Sequence, residues 1–154
     1  MTFVEKYFLS DYIESDDYRK CIVLKDKGEQ RKYIGNNTTQ QRIVVYRVDD
    51  GIITGKESSK CDFAFWTGKN NVYLVELKGG DYSKALQQVY HSIENLIVST
   101  KLEVNSAHAR IVLSKGRSVR AHVANTNEVK LNKLLKRYNG TLSVKSVQME
   151  ESII

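Results

Sequence analysis

Cysteine, proline and long apolar runs are what this sequence has least of. Its two cysteines, Cys21 and Cys61, stand alone, with no CxxC pair and no cysteine/histidine cluster. That excludes the usual structural zinc patterns and leaves a lone disulfide open. Proline is absent altogether, a lack from which no function follows. No apolar run approaches the ~18 residues of a membrane-spanning helix. The opening stretch MTFVEKYFLSDYIESDD also lacks the basic flank and apolar core of a signal peptide. The expectation is a soluble, cytoplasmic protein with no membrane partner.

What is present is enough chain for one packed domain. The 154 residues are 41% hydrophobic and 27% charged, and no repeat or low-complexity linker divides them, so 1–154 reads as a single unit. A net charge of +6 suits a polyanionic partner without identifying one.

Hydrophobic periodicity gives a mixed order of elements. Residues 2–14 predict a short helix from Phe3, Val4, Tyr7, Phe8 and Tyr12. Cys21–Leu24 and Arg42–Val48 read as strands, Asn36–Gln40 as a turn, and Asp49-Asp50-Gly51 as punctuation. CDFAFW at 61–66, the turn TGKNN and Val72–Lys78 predict a hairpin. Asp81 or Ser83 caps a helix to about Thr100, carried by Ala85, Leu86, Val89, Ile93, Leu96 and Ile97. Arg110–Leu113 is a further strand. Thr126 caps a helix with Val129, Leu131, Leu134 and Leu135 inward and Lys130, Lys133, Lys136 and Arg137 outward. Asn139-Gly140 ends it, and Leu142–Val147 is the last strand. This is an α/β (α+β) pattern.

The chemistry gathers at Val72–Gly80, VYLVELKGG. Alternate residues of a strand share a face, so Glu76 and Lys78 point one way and Leu77 the other. Asp62, on the neighbouring strand, is within reach of the end that carries Glu76. Two converging carboxylates repel unless a cation lies between them. A magnesium ion, held by one or two carboxylates plus substrate phosphate, answers that need, and Lys78 can assist an attacking water. The plain alternative is a solvated ion pair between Glu76 and Lys78.

Asp62, then Glu76-Leu77-Lys78 at a strand end, then a helix, resembles the PD-(D/E)xK nuclease superfamily. The resemblance covers roughly residues 40 to 115. It implies a restriction-endonuclease-like core, a central mixed sheet flanked by helices, and metal-dependent cleavage of nucleic acid, DNA more than RNA. By resemblance, Asp62 and Glu76 hold Mg2+ or Mn2+, the Leu77 carbonyl joins the metal shell, and Lys78 is the catalytic lysine. A polar helix residue matches Gln88, with Gln87 as fallback. Many members add a first-helix glutamate, for which Glu5, Glu14 and Glu29 are candidates and Glu14 ranks first. Cys61 stands where the motif's proline would be. Members this small often pair, so a homodimer is expected.

Lys115, Arg117 and Arg120, on the loop after Arg110–Leu113, are the favoured grip on a nucleic-acid backbone. The helix face bearing Lys133 reads first as solvated and second as a phosphate-contacting stripe. His91, His108 and His122 are scattered and read as structural or surface residues. Tyr82 and Tyr90 read as packing before base stacking. The reading is therefore a DNA endonuclease. The alternatives are a catalytically silent module on the same fold, binding nucleic acid or a protein, and a small interaction partner with no nucleic-acid role.

Overall fold

The computed structural model describes residues 1–26, 28–53, 60–77, 81–114 and 126–154. Its helices are α1 (Phe3–Tyr7), α2 (Tyr82–Ile93) and α3 (Thr126–Arg137). Its strands are β1 (Ile13–Asp17), β2 (Cys21–Lys25), β3 (Lys32–Asn36), β4 (Ile43–Arg47), β5 (Phe63–Thr67), β6 (Asn71–Glu76), β7 (Ser106–Leu113), β8 (Leu142–Ser146) and β9 (Gln148–Ser152). The class is mixed α/β, as the periodicity predicts.

Six strands form a large sheet in the order β1-β4-β5-β6-β7-β8. Pairing is antiparallel from β1 to β6 and parallel from β6 through β7 to β8. The parallel steps need crossovers, and α2 and α3 supply them. A second sheet has the order β2-β3-β9, antiparallel then parallel.

The large sheet is covered on both faces by different materials. One face, with Val44, Tyr46, Ala64, Val72, Leu74 and Ile111, packs against Phe3 of α1, Ala85, Leu86, Val89 and Ile93 of α2, and Leu131, Leu134 and Leu135 of α3. The other face, with Val45, Phe65, Tyr73, Val75 and Val112, packs against Ile22, Leu24, Tyr33, Met149 and Ile153 of the small sheet. Strands β5, β6 and β7 are therefore buried along their whole length, which is why they read as continuous apolar runs. In β2 burial alternates, with Cys21, Val23 and Lys25 outward. Among the described residues, helices flank one face and the small sheet covers the other.

Several sequence expectations hold and several are corrected. Asp81 caps α2, its carboxylate accepting from the Lys84 amide at 3.1 Å, and a π-helical turn, Glu94–Val98, carries the helix on towards Thr100. The helix expected over 2–14 stops at Tyr7. Phe8 and Leu9 are exposed, and Ile13–Asp17 pairs with β4 instead. Edge pairing overrides the helical spacing there. Val129 is exposed, because the buried stripe of α3 runs through Leu131, Leu134 and Leu135. Both thiols are free, Cys21 exposed and Cys61 buried. No described helix is long and apolar enough to cross a membrane.

The predicted last strand, Leu142–Val147, is β8, and an unpredicted strand, β9, follows it after Val147, whose φ is 67°, a region that β-branched residues rarely enter. Its N–H donates to Leu113 O at 2.8 Å and its carbonyl accepts from Lys32 N–H at 3.1 Å. One residue thus ties β7 of the large sheet to β3 of the small one.

Candidate active site at the end of β6

β5 and β6 pair Phe63 with Val75 and Ala64 with Leu74. One step further, the same register sets Asp62 against Glu76. The ladder is altered at that step. The Asp62 N–H donates to Val75 O at 3.2 Å, so Asp62 and Phe63 together face one residue of β6. This is the arrangement of a β-bulge, which re-aims a side chain. The Asp62 carboxylate turns to the end of β6, where Oδ2 accepts from the Leu77 amide at 2.8 Å. Glu76 precedes that amide and is fully buried; Asp62 is 7% exposed.

Cys61 reports on both acids. Burial above all pushes its thiol pKa up, the neighbouring Ser92 hydroxyl opposes that rise, and the negative charges of Glu76 and Asp62 add to it. Cys61 is also the clamp between strand and helix. Its N–H donates to Ser92 Oγ at 2.8 Å, and that hydroxyl donates to the Gln88 carbonyl at 2.7 Å. One turn of α2, at Ser92, is thereby tied beside the residue before Asp62. Cys61 stands out in the sequence only as a lone cysteine and as the residue in place of the motif's proline, and Ser92 does not stand out at all.

Lys60 is a further residue that sequence reasoning passed over. Its side chain is 6% exposed and pairs with Asp49 at 3.5 Å. Asp49 reads from the sequence as a turn residue before a ligand. It does sit at a turn, where Gly51 N–H donates to Val48 O, and its ion pair also fixes the chain entering β5.

The other expected site residues divide sharply. Gln88 is half-buried on α2, and its described hydrogen bond is through the main chain. Gln87 is exposed. Glu14 lies on β1, not on a helix, and pairs with Arg47 at 3.1 Å. Arg47 in turn lies over the Phe63 ring on the small-sheet side. Glu14 thus stands on the opposite face from the helices, because the first helix ends before it. Glu5 closes the capping box of α1 through Thr2, and Glu29 pairs with Arg31 at 2.9 Å. Lys133 is exposed on α3, beside Lys130, whose ammonium lies 4.5 Å over the Tyr90 ring. Tyr82 is buried and donates to Glu128 at 3.0 Å, as packing requires. Lys78, Lys115, Arg117, Arg120 and His122 lie outside the described residues.

At the opposite end of β6 and β7 is a second buried polar cluster. Asn71 Oδ1 accepts from Ser106 Oγ at 2.6 Å and from Asn105 Nδ2 at 2.9 Å. His108 Nδ1 accepts the Thr141 N–H at 3.1 Å, so Nε2 carries the proton towards Ser106 Oγ, 2.8 Å away. Burial first, then the nearby Arg110 charge, pushes the His108 pKa down to about 4. His108 is buried and hydrogen-bonded within the sheet rather than on the surface.

Among the described residues no group of three or more histidine, cysteine, aspartate or glutamate side chains is placed to hold a metal. What Asp62 and Glu76 offer is a two-carboxylate, all-oxygen donor set. That set fits a magnesium-type ion, which keeps several waters and takes substrate phosphate, better than a fully protein-ligated ion. No family model matches the chain, and no curated protein or solved structure is significantly similar to it.

Proposed function

We propose that the chain is a metal-dependent nuclease of the PD-(D/E)xK kind, acting on DNA. One observation carries the reading. Asp62 is held by the Leu77 amide at the carboxyl end of β6, directly after a fully buried Glu76, with α2 following. Ligand sites of open α/β sheets lie outside the carboxyl ends of strands. The hairpin of β5 and β6 followed by α2 and the parallel β7 supports a restriction-endonuclease-like core with strands bearing Asp and ExK.

In this reading Asp62 keeps Oδ1 for a cation, because Oδ2 is engaged by the amide. Glu76 supplies the second carboxylate. A bound divalent ion supplies Lewis-acid polarisation of the phosphate and a water of lowered pKa. Lys78, by resemblance, orients the attacking water. The Cys61–Ser92 hydrogen bond ties α2 to the residue before Asp62. Lys130 and Lys133, with Lys115, Arg117 and Arg120, carry positive charge for a phosphate backbone. Two such sites on a homodimer would serve two strands.

The test is incubation of purified protein with duplex, branched and single-stranded DNA and with RNA, in manganese and in EDTA, beside Glu76→Ala and Lys78→Ala. Manganese-dependent cleavage lost in both variants is the expected result. Cleavage that survives Glu76→Ala would falsify the site.

A catalytically silent module has one observation in its favour. Glu5, Glu14 and Glu29 are all engaged away from Asp62 and Glu76, so no candidate first-helix glutamate joins them. Calorimetry showing nucleic-acid affinity but no magnesium or manganese binding would select that reading.

A further inference from the structure

Asp62 reaches its position at a bulge, where the regular ladder is interrupted, so its direction depends on individual ties. Its N–H donates to Val75 O at 3.2 Å, and its carbonyl accepts from Val48 N–H at 3.0 Å. Its carboxylate Oδ2 accepts from the Leu77 amide at 2.8 Å. On the β4 side, the main chain of Asp62 is therefore held by the turn that follows Arg47.

That turn is bonded closely to itself. Gly51 N–H donates to Val48 O at 3.1 Å, Ile52 N–H to Arg47 O at 3.1 Å, and Ile53 N–H to Val48 O at 3.2 Å. A Cβ on Gly51 would collide with the Arg47 carbonyl, so the turn closes this tightly only with glycine there. Val48 and Ile53 anchor it in the helix-side core. Asp49 stands in this turn, with Oδ1 at 3.5 Å from Lys60 Nζ.

Lys60 is an unusual residue for this place. Lysine is almost never fully buried unless paired. The arginines that pair with β1 residues, Arg19, Arg42 and Arg47, keep their side chains at the surface, whereas that of Lys60 is buried. A buried ion pair stabilises a fold no better than a well-packed apolar pair. Val48, Ile53 and Cys61 show that this end of the sheet accepts apolar side chains. What the ion pair adds is a second tie between the same two segments. Val48 bonds Asp62 through the main chain, and Asp49 bonds Lys60 through charge, one tie on each side of Cys61. With one charge of each sign, the pair brings no net charge to the acids beside it.

We infer that Lys60 is a positioning residue for the proposed cation site. Acting through Asp49, it holds the chain that enters the bulge, so that Asp62 keeps Oδ2 on the Leu77 amide and presents Oδ1 to the ion. The ion itself rests on the nuclease reading, while the hold on Asp62 can be measured without it.

The experiment compares the whole protein with Lys60→Met/Asp49→Asn, which removes both charges and strands neither, and with Asp49→Asn alone. Amide hydrogen exchange is read at Leu77, which reports the Asp62 bond, and at Tyr73 in the middle of β6. Calorimetry measures manganese affinity, with Glu76→Ala as the control. In both variants the expected result is faster exchange at Leu77 with Tyr73 unchanged. Manganese should bind ~10–100-fold more weakly, the range for loss of a group that orients a metal ligand. Should the double variant not fold, Asp49→Asn decides alone. Unchanged exchange at Leu77 overturns the inference, and so does equal acceleration at Leu77 and Tyr73, which would mean that the pair only holds the fold. Manganese affinity that Glu76→Ala removes but the Lys60 and Asp49 variants leave intact sinks the role of Lys60 and spares the cation site. No manganese binding by the unaltered protein sinks both.

Discussion

The two ends of β6 finish in opposite ways. At its start, Asn71 joins Ser106, Asn105 and a neutral His108 in a network whose donors and acceptors match one another. At its finish, Asp62 and Glu76 bring two carboxylates into a buried place. Neutral amides and hydroxyls settle a buried strand end at little cost once they are bonded, whereas buried carboxylates are far more expensive. A fold that needed only to close its sheet had the cheaper solution available one strand length away. The acids are what the neutral end lacks, and they are what the proposed chemistry requires.

Substitutions at the two ends should separate activity from stability. Asp62→Asn or Glu76→Gln should lower manganese-supported cleavage by ~10²–10⁴-fold, the range for loss of a positioned catalytic group. Circular dichroism should show the fold retained, and EDTA should give the same loss. If Asn71→Ala lowers activity per folded molecule as much, the contrast fails. Asn71→Ala should instead cost ~1–3 kcal/mol in urea unfolding, because it strands the Ser106 hydroxyl and the Asn105 amide.

Acidity sharpens the contrast. His108 stays neutral in the fold down to about 4, while its ordinary value is 6.5. Between those values the unfolded chain binds more protons, so stability should rise with pH through that window and be lost as pH falls through it. His108→Gln should flatten that part of the stability curve, followed by thermal melts at several pH values. The smallest effect is expected at the surface. Lys133→Ala should reduce the slope of log affinity against log salt by ~0.9 for each phosphate contact removed, measured on a DNA duplex.

The sequence made some of this visible and hid the rest for physical reasons. β4, β5 and β6 were legible because burial on both faces leaves long apolar runs, and α2 because its cap and stripe agree. β1, β3 and β9 were not. IESDD, KYIGN and QMEES carry charge or glycine and become strands only through long-range pairing. Asp62 and Glu76 could be picked out because charge interrupts apolar strands. The Cys61–Ser92 clamp could not, since its effect depends on a helix meeting a strand far off in sequence. Glu14 was misplaced because helical spacing up to Tyr12 masked the edge strand.

Val147 sets a final constraint, on the order of assembly. The strand it leads into, β9, pairs Gln148 with Lys32, near opposite extremities of the sequence. Contacts that span so much chain form slowly, since a large loop must close first. The helix-covered layer, built from nearer neighbours, can consolidate earlier. Until β9 arrives, the layer over Phe65, Tyr73 and Val75 has Ile22, Leu24 and Tyr33 of the β2–β3 hairpin but lacks Met149 and Ile153, so the second layer is completed only when the far end of the chain docks.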